Sequence, residues 1–143
     1  MTDFKWTNVI EVGHAEIDAQ HRRLLHLCTD VIELLLHSGD PNSSMSQLQE
    51  LIDFTEEHFE FEEDLMRSVS YPDLDQHAKY HSSLLAELRT FVYRVHQDQG
   101  TTAVGTMSFL WSWLTLHIDS VDRELADWLR THEPDGGVRH FPS

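Results

Sequence analysis

Apolar residues return at helical spacing in four successive stretches of the chain. From Asp18 a first helix carries Ile17, Leu24, Leu25, Cys28, Val31, Ile32, Leu35 and Leu36 on its buried stripe. Asp18 suits a cap or first-turn acid, and Ser38-Gly39-Asp40-Pro41-Asn42 ends the helix, with Gly just past its end and Pro beyond. A second helix begins near Ser43 or Ser44 and carries Leu48, Leu51, Ile52, Thr55, His58, Phe59, Glu62, Leu65 and Met66. Ser70-Tyr71-Pro72 breaks it, and Pro72 suits the first turn of the next helix. The third stretch carries Leu74, His77, His81, Leu84, Leu85, Leu88, Phe91, Val92 and Val95, and Gln99-Gly100-Thr101-Thr102 turns the chain into a fourth. That one reads Val104, Met107, Leu110, Trp113, Leu114, His117, Ile118, Val121, Leu125, Trp128 and Leu129.

Four helices of roughly 20 to 28 residues with short connections predict an all-α fold, an antiparallel up-down-up-down four-helix bundle. Residues 1–16, with Phe4 and Trp6 but no helical period, read as an N-terminal arm packed on the domain. The tail from Thr131, with Pro134-Asp135-Gly136-Gly137, has no period either. The whole of 1–143 is expected to be a single domain, which at this length can bury one sizeable core.

Charge narrows the function classes. With 25 acidic against 10 basic residues, the surface repels phosphate backbones and anionic lipid. Neither nucleic acid nor membrane is therefore an expected partner. The N-terminus has no basic segment followed by an apolar one, and the apolar runs Val31 to Leu36 and Phe109 to Leu116 are too short or interrupted to span a bilayer. Cys28 is the only cysteine, which leaves no internal disulfide and no thiolate-rich metal site. A cytoplasmic location is the default expectation.

The chemistry lies on the apolar stripes themselves. His21 sits among Ile17, Leu24 and Leu25; His58 and Glu62 lie i,i+4 near Leu51, Phe54 and Leu65; His77 and His81 lie i,i+4 ahead of Leu84, Leu85 and Leu88. His117 shares its face with Trp113, Leu114 and Val121, and Asp122 follows five residues on. Burying five imidazoles and two carboxylates without partners would cost several kcal/mol for each unsatisfied group, against a net stability of about 5–15 kcal/mol for a whole domain. A metal centre removes that cost, because the lone pairs coordinate and the carboxylates offset the cation. Imidazole with carboxylate suits iron or another first-row metal better than calcium or magnesium.

These seven residues are too many for one tetrahedral zinc. Two octahedral ions offer about twelve positions. Five histidines and two bridging carboxylates fill nine of them, and a solvent-derived bridge two more. One position stays open, where a small diatomic could bind. The spacing of His117 and Asp122 is irregular, since five residues of α-helix rotate about 140°. Either Asp122 reaches in from the flank, or a local π-type widening turns it inward.

The motifs Ile17-Asp18-Ala19-Gln20-His21, His58-Phe59-x-x-Glu62-Glu63-x-x-Met66, Tyr71-Pro72 ahead of His77-x-x-x-His81, and Trp113-Leu114-x-x-His117-Ile118-x-x-x-Asp122 together resemble the hemerythrins, particularly the bacterial single-domain members. Trp6 ahead of Val12-Gly13 also resembles the family's N-terminal arm, and the likeness runs from about residue 6 to 129. What it implies is a non-haem di-iron site that binds O2 reversibly, with two iron ions per chain and an oxo or hydroxo bridge. By that resemblance His77, His81 and His117 would hold one six-coordinate iron. His21 and His58 would hold the second, with the open position, and Glu62 and Asp122 would bridge. Leu25, Phe59, Trp113 and Ile118 would line a small dry pocket, while Glu63 faces solvent or orients a histidine.

The other histidines, His14, His26, His37, His96, His132 and His140, have no matched role, and His14 alone is placed to tune access or proton supply. The leading expectation is oxygen storage, delivery or scavenging by a monomer, binding O2 without turnover. The alternatives are a di-iron enzyme acting on nitric oxide or peroxide, and an O2 or redox sensor with a separate partner. A ferritin-like oxidase fits poorly, because paired Glu-x-x-His motifs are absent from the core stripes.

Overall fold

The structure is a computed structural model that describes residues 11–38, 40–97 and 102–132. Helix α1 spans Ala15–Ser38, α2 Met45–Ser68, α3 Leu74–His96 and α4 Ala103–His117. A π-helical segment, Ile118–Asp122, joins α4 without a break to α5, Arg123–His132. α1 packs on α2 and α4, and α3 packs on the same two helices, closing an antiparallel four-helix bundle in which α4 and α5 act as one long element. The described residues contain no strand. No helix among them is long and apolar enough to cross a membrane.

The helix ends follow local chemistry. α1 starts three residues before Asp18, because that carboxylate accepts the backbone N–H groups of Val12 and Gly13 and folds the preceding turn onto the helix. His14 Nδ1 accepts the Ile17 N–H at 3.3 Å, so a buried imidazole acts as the cap. Gly13 has φ +94°, a left-handed conformation that glycine adopts without strain. The non-helical lead-in therefore ends at His14, not at residue 16; the arm's Phe4 and Trp6 lie outside the described residues.

Asp40 caps a short 3-10 turn, Pro41–Ser44, through Asn42 N–H, and α2 follows directly. Pro72 lies in the turn before α3 and not in its first helical turn; Asp73 occupies the cap position. Thr102 caps α4 by accepting Gly105 N–H at 2.9 Å. The final helix runs through Thr131 and His132, where a tail was expected, and residues 133–143 lie outside the described residues.

The core divides along the bundle axis. At one end Val31, Leu35, Leu48, Leu51, Leu88, Val92, Val95 and Leu110 pack as an apolar plug. The other end gathers the early part of α1 and α3 with the late part of α2 and α4. Antiparallel alternation thus carries His21 and His77 to the same level as His58 and His117. Trp113 spans the two zones and donates its indole N–H to the Leu84 carbonyl at 3.0 Å.

Candidate metal centre

All seven predicted residues meet at that level, each no more than 2% exposed. Two sets of ligand atoms lie within 4.8 Å of one another: His21, His58, Glu62, His117 and Asp122 in one, Glu62, His77, His81 and Asp122 in the other. Both carboxylates are common to the two sets, which is the arrangement a pair of bridged ions needs. Asp122 Oδ2 lies 2.7 Å from His21 Nε2 and 2.7 Å from His117 Nε2, while its Oδ1 lies 3.2 Å from His77 Nε2. Glu62 Oε1 lies 3.0 Å from His81 Nε2 and 3.4 Å from His77 Nε2, and Glu62 Oε2 lies 3.2 Å from His58 Nε2.

Asp122 reaches this position through the π segment. Widening the helix over Ile118–Asp122 brings a carboxylate five residues on back over His117, and leaves Val121 half-buried at the flank. The Asp122 carboxylate is fully buried as a result.

His117 lies between the two groups: it shares Asp122 Oδ2 with His21, its Nε2 lies 3.1 Å from His58 Nε2, and its ring centroid is 5.7 Å from those of both His21 and His81.

Two residues outside the predicted seven orient the imidazoles from behind. Gln20 Oε1 accepts from His58 Nδ1 at 2.6 Å, and Glu63 Oε2 accepts from His81 Nδ1 at 2.9 Å. Glu63 in turn lies 4.0 Å from the Arg67 guanidinium, so of its two expected roles it takes that of orienting a histidine. In the sequence Gln20 is only the neighbour of His21, and that i−1 position gives no sign that it reaches a different helix. Phe59 stacks on His81 with ring centroids 3.9 Å apart and lies 5.0 Å from His117. Leu25, Trp113 and Ile118 are all buried, as pocket-lining residues must be.

These outer contacts fix what the inner nitrogens can do. A neutral imidazole has one N–H, and in His58 and His81 it is spent on Gln20 and Glu63. Burial pushes the His58 imidazole down to about 3 and that of His81 to about 2, so neither carries a second proton at neutral pH. Their Nε2 lone pairs therefore point at carboxylate oxygens 3.2 Å and 3.0 Å away. Lone pairs facing oxygens repel unless a proton or a metal cation lies between them. Glu62 shows the same strain: burial, then the negative charge of Asp122, raises its carboxyl well above the usual range. Burial also works against ionised Asp122, but His117 and the hydrogen bonds from His117 and His21 outweigh it and hold that carboxyl low. Glu62 Oε2 and His117 Nδ1 are buried without a hydrogen-bond partner. The donor set, five imidazoles around two shared carboxylates, fits a metal site of first-row type.

Of the remaining histidines, His26, His37, His96 and His132 are exposed, and His140 lies outside the described residues. Cys28 is buried, and burial pushes its thiol up to about 12, leaving it inert.

Comparison with known proteins agrees with the geometry. The family model described as "Hemerythrin HHE cation binding domain" matches residues 12–129. A bacteriohemerythrin of Clostridium acetobutylicum is 30% identical over 128 residues, covering 87% of this chain and 99% of that protein. A bacteriohemerythrin of Stenotrophomonas maltophilia is 31% identical over 89% of this chain and 82% of its own length. A myohemerythrin of Theromyzon tessulatum is 29% identical over 83% of this chain and 88% of its own. With a helical bundle, a buried cluster of histidines and carboxylates, and a family match over most of its length, the chain belongs to the hemerythrin family.

Proposed function

We propose that this protein binds O2 reversibly at a non-haem di-iron centre held by His21, His58, Glu62, His77, His81, His117 and Asp122. The observation that carries the reading is the sharing of Glu62 and Asp122 by both groups of buried histidines. His81 gives its Nδ1 proton to Glu63, which leaves Nε2 facing Glu62 Oε1 at 3.0 Å as a metal ligand must. The two shared carboxylates call for a pair of ions, and relatives named bacteriohemerythrin and myohemerythrin support iron as the metal and O2 as its ligand.

Iron held by those seven residues would, when reduced, supply the electrons that bind a diatomic ligand. The chain does the rest. Glu62 and Asp122 offset the cation charge, and Gln20 and Glu63 hold the His58 and His81 rings so that Nε2 faces inward. Phe59, Trp113 and Ile118 keep bulk water from the centre, which limits loss of a charged ligand.

Metal analysis of the purified protein with an anaerobic O2 titration tests this reading. Two irons per chain, one O2 per pair and a visible band that disappears on deoxygenation are expected. Zinc alone, or no spectral response to O2, overturns it.

A further inference from the structure

A surface cavity of about 360 Å³ opens beside the cluster, between the start of α3 and the π segment, and His77 lines it. Of the cavities formed by described residues, those lined by Asp30 and Glu33 or by Glu87 and Arg94 touch none of the seven residues. The rim of the first carries Asp73 and Glu124, both exposed and without an ion pair among the described residues. Tyr71 on its wall feels them: burial first, then the negative charges of Glu124, Asp73 and Asp122, pushes its phenol up to about 12.

His77 gives this cavity an inner end. Its side chain is 2% exposed, and its Nε2 meets Asp122 Oδ1 and Glu62 Oε1. The outer nitrogens of His58 and His81 are occupied by Gln20 and Glu63, whereas no described residue meets His77 Nδ1. The ring thus separates an acid-rimmed, solvent-reaching cavity from the buried cluster. An acidic rim raises the local concentration of cations and speeds their capture.

We propose that this cavity is the mouth through which divalent metal ions enter the centre, with Asp73 and Glu124 attracting the hydrated ion and the His77 ring as the point of transfer. The inference rests on the seven-ligand reading above. Glu62 and Asp122 are sealed from solvent, so an ion needs a path past a ligand, and His77 is a ligand that this cavity reaches.

The full-length chain, stripped of metal and checked as helical by circular dichroism, is mixed anaerobically with Co(II) while its absorption bands are followed. Asp73→Asn with Glu124→Gln should slow uptake on the order of ten-fold. It should also flatten the dependence on ionic strength and leave the final content and band positions unchanged. Asp30→Asn with Glu33→Gln removes the same charge from the other cavity and should leave the rate unchanged. Gln76→Trp, which narrows the mouth without altering charge, should slow uptake while keeping the salt dependence. Where stripping unfolds the chain, release of Fe(II) from the loaded protein to a chelator replaces uptake, and Gln76→Trp should slow it. Equal rates in the wild type and both mouth variants, or equal slowing by the Asp30/Glu33 pair, overturn the proposal while leaving the metal centre intact. Failure of the wild type to bind two ions per chain overturns the centre and the mouth together.

Discussion

Glu63 Oε2 accepts a hydrogen bond from His81 Nδ1 at 2.9 Å, from the residue next to a carboxylate of the cluster. Glu62 points inward and Glu63 toward solvent, so adjacent positions on α2 serve the inner and outer nitrogens of one imidazole. Removing the outer partner frees the ring to rotate or change tautomer. Glu63→Ala should weaken metal retention about 10- to 100-fold. Glu63→Gln keeps an acceptor and should recover much of the loss. Competition with a chelator reads both variants, and equal retention by wild type and alanine variant counts against the orienting role.

Gln20 does for His58 what Glu63 does for His81, without the charge. Gln20→Ala should weaken metal retention in the same range, about 10- to 100-fold. It should do so without the ionic-strength sensitivity that a charged partner brings. Chelator competition at low and high salt separates the two variants.

His77→Ala removes one of the imidazoles around the carboxylate pair. The expected result is loss or sharp weakening of metal retention after desalting. His26→Ala, at an exposed position on α1, should leave metal content as in the wild type. Elemental analysis of both variants is sufficient.

Acid should destabilise the metal-free chain. His58 and His81 have ordinary values of 6.5 and lie at about 3 and about 2 in the fold, and His117 is lowered by burial as well. The unfolded chain binds these protons first, so their contribution is complete above pH 6.5 and is lost as pH falls toward the folded values. Each group adds a slope of up to about 1.4 kcal/mol per pH unit. Glu62 is raised and acts in the opposite sense: above pH 4.5 the folded chain holds a proton that the unfolded chain releases. Between pH 6.5 and 4.5 the histidines outnumber it, and below 4.5 it stops opposing them, so the loss should steepen. Urea denaturation in chelator at pH 7, 5.5 and 4 measures this, and an unchanged midpoint contradicts it. The same Glu62 proton must leave when metal binds, so loading at neutral pH should release acid to a weakly buffered indicator dye.

Trp113→Phe should cost about 1–3 kcal/mol of stability, through a lost hydrogen bond and a partly unfilled site. The Leu84 carbonyl and the fully packed indole are both bundle features, so metal content should not change. Thermal melts and elemental analysis of one preparation give both answers.

The sequence by itself determined the four helices and the residues that gather between them. A helix writes its buried face into the chain at a period of 3.6, and a histidine or carboxylate on that face is conspicuous because its burial needs compensation. Even the irregular interval between His117 and Asp122 left only two geometries, and the π segment is one of them. Tertiary structure alone decided the rest. Gln20 meets His58 across 38 residues, and Glu63 meets His81 across 18, contacts between helices that no local period records. His14 looked like a possible tuning group and caps a helix, since its role depends on where the Ile17 N–H points. The acid-rimmed cavity reaching His77 follows from how α3 and the π segment pack, because side-chain direction across an interface is set by both partners.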